Sequence, residues 1–162
     1  MHSLQKDLEK LHEQLKNGAI QRAYRALVFY MMELRTHFKN TYPDYSVSAL
    51  YQGYMDMTYF AISPQSFKKR DLKVAIVFNY EAFRFEVWLA GRNKKVNQQY
   101  WELFKDQNWP SYRIVTPGRG VDSIIECDLA SSFNLSDTDA LTNRIEIGAG
   151  AFIKDIEELA WK

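Results

Sequence analysis

The sequence predicts an α+β fold in a single domain over residues 1–162, with a mostly antiparallel sheet of about five strands. Two adjacent segments carry this prediction. FRFEVWLAGRN (83–93) alternates apolar and polar residues with the period of two that is typical of a strand. LKVAIVFN (72–79) is almost entirely apolar and rich in β-branched residues, as expected of a central strand. The short link between them favours an antiparallel hairpin.

Helical periodicity predicts an N-terminal helical pair, a middle helix and a long C-terminal helix, all packed on the sheet. The first helix has Ser3 as its N-cap and a stripe of leucines spaced by four, three and four residues: Leu4, Leu8, Leu11 and Leu15. Further strands are predicted at YQGYMDMTYFAIS (51–63) and on both sides of PGRG (117–120). In the first of these, Asp56 shares a side with Thr58 and Phe60.

Composition argues against several classes of protein. The net charge is +1, which gives no global field for nucleic acid or an anionic membrane. The single Cys127 excludes an intramolecular disulfide and fits a reducing compartment. The N-terminus carries charges too early and too often for a signal peptide. The apolar runs of the whole chain are too short for a membrane span. We therefore expect a cytoplasmic protein.

The most informative candidate site is one face of the strand at 83–93. There Phe83, Phe85, Val87 and Leu89 are expected to face the core. Arg84, Glu86 and Trp88 then share the opposite face, which is either a site or a sheet surface covered by other elements.

Asp56 and Glu86 raise the alternative of a nuclease. A helix, a strand with Asp, a later strand with Glu and another helix is the layout of restriction-endonuclease-like enzymes, whose carboxylates hold Mg²⁺. Those enzymes usually carry a Lys two residues after the Glu, where this chain has Trp88. Lys73 would replace it only if the register placed it on the same face. In the competing interpretation Arg84 simply neutralises Glu86.

Tyrosines form a second candidate site, because Tyr42, Tyr45, Tyr51, Tyr54 and Tyr59 cluster in sequence. They either line a small-molecule pocket or cover an edge of the sheet.

The basic clusters KKR (68–70) and RNKK (92–95) converge if the intervening loop folds over a helix N-terminus. No pair of histidines has metal-ligand spacing, so no metal site is predicted.

At AYRALVFYMMELRTHF, YPDYSVSALYQGYMDMTYF, LKVAIVFNYEAFRFEVWLAGRN and YWELFK, the chain resembles an uncharacterised family of small bacterial proteins. The resemblance extends over most of residues 1–160. It implies a bacterial cytoplasmic protein and a domain of unknown function, and it supplies no catalytic residue, cofactor or partner.

These observations favour a non-enzymatic module without a cofactor that binds a small molecule or a protein partner. Its expected binding residues are Arg84, Glu86, Trp88, Tyr51, Tyr54 and Asp56. The alternative is a Mg²⁺-dependent nuclease, or an inactive relative of one, that uses Asp56, Glu86 and Lys73. A third hypothesis is a homodimer formed through the leucine stripe of the first helix.

Overall fold

The computed structural model describes residues 3–160. Its helices are α1 (Leu4–Leu15), α2 (Ala19–Thr41), α3 (Gln65–Lys68), α4 (Lys94–Phe104) and α5 (Thr138–Ala160). Its strands are β1 (Ser46–Val47), β2 (Met57–Ser63), β3 (Leu72–Asn79), β4 (Arg84–Gly91), β5 (Arg113–Ile114) and β6 (Ile125–Ala130). No helix in this range combines the length and apolar character needed to cross a bilayer.

The strands form one antiparallel sheet in the order β1-β2-β3-β4-β6-β5, which confirms the α+β fold. It has six strands rather than about five. The additional strand is β1, whose two residues pair with the end of β2 at the edge of the sheet. Two residues are too few to show a periodicity of two, so the sequence did not indicate this strand.

Helices α2 and α5 bury their apolar stripes against one face of the sheet, and they are also joined to each other. The hydroxyls of Tyr30 and Thr142 lie 2.8 Å apart in a hydrogen bond between the two helices. Glu146 of α5 accepts a 2.7 Å hydrogen bond from the Tyr42 hydroxyl and contacts His37 of α2 at 2.5 Å. Phe85, Val87 and Leu89 of β4 are fully buried on this core face, as predicted.

Two parts of the strand predictions were wrong. The strand predicted from residue 51 begins at Met57, because a turn with Gly53 and Met55 at positive φ precedes it. Phe83 is not a core residue of β4 but belongs to the hairpin turn, with φ 55° and 55% of its surface exposed. Its ring stacks on Phe133, with ring centroids 6.0 Å apart. In both places the backbone leaves the extended conformation that alternation assumes.

Helix α1 has the predicted Ser3 cap, whose hydroxyl accepts a hydrogen bond from the Lys6 amide. No residue of this helix is buried. The exposed fractions of Leu4, Leu8 and Leu11 are 70%, 50% and 50%, so most of the leucine stripe faces away from the sheet.

Candidate functional site

The face of the sheet opposite the core, here called the outer face, carries Arg84, Glu86 and Trp88 of β4 side by side, as the alternation predicted. In the β3–β4 register, Ala75 pairs with Trp88 and Lys73 pairs with Ala90. Lys73 therefore shares the outer face with Trp88. Because Trp88 is only partly buried and lines a hollow, this face is open to solvent in part.

Glu86 is fully buried and hydrogen-bonded on both carboxylate oxygens. The indole N–H of Trp88 donates to Oε1 at 2.7 Å. Nε of Arg84 donates to Oε2 at 2.6 Å, and the Asn79 amide donates to the same atom at 3.3 Å. A buried carboxylate needs such partners, because removing its charge from water is otherwise costly. The predicted neutralisation of Glu86 by Arg84 is therefore confirmed.

Glu86 belongs to a larger charge network on β4, β5 and β6, made up of Arg84, Glu86, Arg113, Glu126 and Asp128. Arg113 lies 2.7 Å from Asp128, 3.3 Å from Glu126 and 3.7 Å from Glu86. With two guanidinium groups and three carboxylates, the network carries one excess negative charge. It lies on the side of Trp88 that faces away from β3.

A hollow of about 300 Å³ opens on the other side of Trp88. Ala75 and Ala90 lie at its base, where their short side chains leave space beside the larger residues Tyr59 and Trp88. The remaining lining comes from Met57, Lys73, Val77, Gly91, Arg92, Asn93, Lys94, Asn97 and Asp122. An apolar base with a few polar groups at its margin is the usual composition of a small-molecule site.

Cations collect at the end of the hollow near the start of α4. The guanidinium of Arg92 lies 3.5 Å from Asp71, and the Arg92 amide donates to the Asp71 carbonyl at 2.8 Å. These contacts join Arg92 of the predicted RNKK cluster to Asp71, the residue that follows the KKR cluster. Lys94 donates to the carbonyls of Gly118 and Val121 at 3.0 and 2.9 Å, so it holds the loop containing PGRG against this end.

Lys73 differs from its cationic neighbours. Its ammonium lies 6.0 Å from the centre of the Tyr59 ring, in a cation–π contact. Within residues 3–160 it has no carboxylate within ion-pair distance. The side chain is half-buried in the wall of the hollow.

The other predicted site residues lie elsewhere. Asp56 precedes β2 and accepts a 2.9 Å hydrogen bond from the Tyr54 amide. This backbone hydrogen bond and one from Met57 lower the pKa of the Asp56 carboxyl. Tyr54 is 90% exposed. Tyr51 packs against Tyr59, with ring centroids 5.1 Å apart, and so touches the hollow only through that ring.

The structure does not bring Asp56 and Glu86 together. Asp56 precedes β2, whose first residue Met57 pairs with Asn79, whereas Glu86 lies two strands away on β4 and pairs with Val77. Lys73 is on the outer face, but the β3 residue that pairs with Glu86 is Val77. Lys73 lies four residues before Val77, roughly 13 Å away along the strand. In residues 3–160, no group of three or more His, Cys, Asp or Glu side chains is arranged to hold a metal ion.

Sequence reasoning missed the residues that shape the hollow, above all Ala75 and Ala90. Small residues in a strand look like ordinary sheet positions until the register shows which large residues flank them. Cys127 is buried, and burial raises the pKa of its thiol to about 11, which disfavours a nucleophilic thiolate.

Comparison with protein families gives a match over residues 4–160 to a family described as Domain of unknown function (DUF7000). No curated protein and no solved structure matches the chain.

Proposed function

The chain belongs to the DUF7000 family, and we propose that it is a binding module whose ligand is a small molecule held in the hollow beside Trp88. The single observation that carries this proposal is the hollow itself. Its volume of about 300 Å³ is at the lower end of the usual range for small-molecule sites.

The way the hollow is built supports this function. Its base lies on three adjacent strands, so it is shaped by the hydrogen-bonded sheet rather than by a mobile loop. The Trp88 indole is fixed by its hydrogen bond to buried Glu86, and Glu86 is itself held by Arg84. A pre-organised wall lowers the entropic cost of binding. Glu86 and Arg84 thus position Trp88 rather than contact the ligand.

A nuclease is not the function that this geometry favours. Both oxygens of Glu86 are occupied by N–H donors, and two guanidinium groups already lie beside it. A carboxylate held in this way is a poor ligand for Mg²⁺, which competes with the cations for the same oxygens. Incubation with labelled DNA and RNA in Mg²⁺ or Mn²⁺ tests the alternative. Cleavage that is lost in Glu86→Ala would support a nuclease against our proposal.

The binding function is tested by a thermal-shift screen of metabolites against the wild type and Ala75→Leu. The larger side chain fills the base of the hollow, so we expect every hit of this site to be lost. Ala151→Leu is the matched control, because it makes the same change on the exposed side of α5. Trp88→Ala provides a second variant that removes a wall of the site.

Hits that disappear in Ala75→Leu and Trp88→Ala but remain in Ala151→Leu would support the proposal. Hits that persist in both variants would place binding elsewhere. A screen without any hit, repeated by ligand-observed nuclear magnetic resonance, would contradict a small-molecule function. Far-UV circular dichroism establishes that each variant is folded before it is compared.

We also propose that a second copy of the chain covers the leucine stripe of α1. The spacing of Leu4, Leu8, Leu11 and Leu15 matches alternating d and a positions of a coiled coil, a pattern that fits another helix of the same kind. A 12-residue helix is marginally stable in water by itself, and none of the residues of α1 is fully buried in the fold.

A further inference from the structure

We propose that the ligand of the hollow is a small organic acid with an apolar or aromatic body and one carboxylate, bound with the carboxylate at Lys73. This inference rests on the proposed binding function and adds the chemical class and the orientation of the ligand. It starts from Lys73, the half-buried cation of the wall that has no carboxylate partner in residues 3–160.

The charges around the hollow favour a single negative charge on the ligand. Lys73, Arg92 and Lys94 line it together with one carboxylate, Asp122. Arg92 is also paired with Asp71, which lies just outside. Three cations against these two carboxylates leave one unit of positive charge, which a monoanion would neutralise.

The orientation follows from the charge network on the far side of Trp88. Because that network carries one excess negative charge, the Trp88 end repels a ligand carboxylate while the Lys73 end attracts it. The apolar body then lies over Ala75 and against the rings of Tyr59 and Trp88. Such rings provide a large contact area at a low entropic cost.

The volume limits the size of the ligand. Since a water molecule occupies about 30 Å³ in the liquid, the hollow has space for roughly ten waters. Phenylacetate is an appropriate probe, because its ring and carboxylate together contain about ten non-hydrogen atoms. Phenylacetamide is its neutral isostere, and phenethylammonium carries the opposite charge on a body of similar size.

The test titrates these three probes into the ¹⁵N-labelled full chain and follows amide and indole N–H signals. We expect phenylacetate to bind at least tenfold more tightly than phenylacetamide, and phenethylammonium to bind most weakly. The shifted signals should include the Trp88 indole. In Lys73→Met, which keeps an unbranched side chain but removes the ammonium group, the acid should lose at least tenfold in affinity while the amide is unchanged. Lys39→Met, on exposed α2 surface, is the matched control.

Equal affinities for acid and amide, or a preference for the ammonium probe, would overturn the ligand class while leaving the binding function intact. Acid binding that survives Lys73→Met would overturn the orientation. If no probe shifts any signal of the hollow, the proposed ligand class is wrong. The metabolite screen against Ala75→Leu then decides separately whether the hollow binds another class of molecule.

Discussion

The indole N–H of Trp88 donates a 2.7 Å hydrogen bond to the carboxylate of Glu86, two residues earlier on the same face of β4. This contact connects two regions of the outer face with different properties. Glu86 belongs to a charge network, and Trp88 forms a wall of the hollow with the apolar base. The residue that supports Trp88 is therefore not a residue of the hollow itself.

Trp88→Phe should separate these two roles. Phenylalanine keeps an aromatic wall but removes the N–H donor, so one oxygen of buried Glu86 loses a partner. We expect the free energy of unfolding to fall by about 1–3 kcal/mol, measured by urea denaturation. Ligands of the hollow should still bind, whereas Trp88→Ala should abolish binding. Unchanged stability in Trp88→Phe would contradict the importance of the hydrogen bond.

Glu86→Gln should destabilise the protein. The amide group of glutamine places a donor against Arg84, Asn79 or Trp88, so one of their N–H groups loses a buried acceptor. The two guanidinium groups of the network keep Glu126 and Asp128 as counter-charges. Leaving a buried donor without its acceptor costs about 1–3 kcal/mol. Urea denaturation checks this value against Glu102→Gln, which removes an exposed pair with Lys105 and should change the stability far less. Equal effects of the two substitutions would show that burial of Glu86 has no energetic consequence.

At low pH, protonation of the Glu146 carboxylate should weaken the connection between α2 and α5. Its pKa is lowered first by the hydrogen bond from Tyr42, against a smaller opposing effect of burial, and further by His37. Because the folded state holds the proton less tightly than the unfolded state, this contribution to stability is present above the ordinary glutamate pKa. It is lost as the pH falls from that value through the lowered pKa.

The measurement compares the free energy of unfolding of the wild type and Glu146→Gln from neutral pH down to about pH 3, which spans the ordinary glutamate pKa. The wild type should lose more stability over the acidic part of this range than the variant. Tyr42→Phe, which removes the main cause of the shift, should give an intermediate slope. Parallel curves for all three proteins would contradict the assignment.

Self-association is predicted to depend on α1. Sedimentation velocity should show a concentration-dependent dimer in the wild type and a monomer in the double variant Leu8→Asp/Leu11→Asp, because charges in an apolar seam oppose pairing. Both leucines are half-exposed, so the variant is expected to keep its fold. Lys6→Gln/Lys10→Gln makes the same change in net charge away from the stripe and should still dimerise. A monomeric wild type at high concentration would refute the proposal.

The sequence alone predicted the α+β class, the hairpin of β3 and β4, and the shared face of Arg84, Glu86 and Trp88. These features depend on periodicity along one strand, which is a local property of the chain. For the same reason the alternation misassigned Phe83 and Asp56, since it cannot show where a left-handed residue ends the extended backbone.

Only the tertiary structure decided what lies beside Trp88. The register places Ala75 opposite Trp88 and Lys73 opposite Ala90, and the chain fold brings Asp71 to Arg92. Pairing between strands depends on contacts among residues distant in sequence, so no pattern within one segment indicates which small side chain will lie next to which large one. The hollow exists because of that pairing, and the function proposed here depends on it.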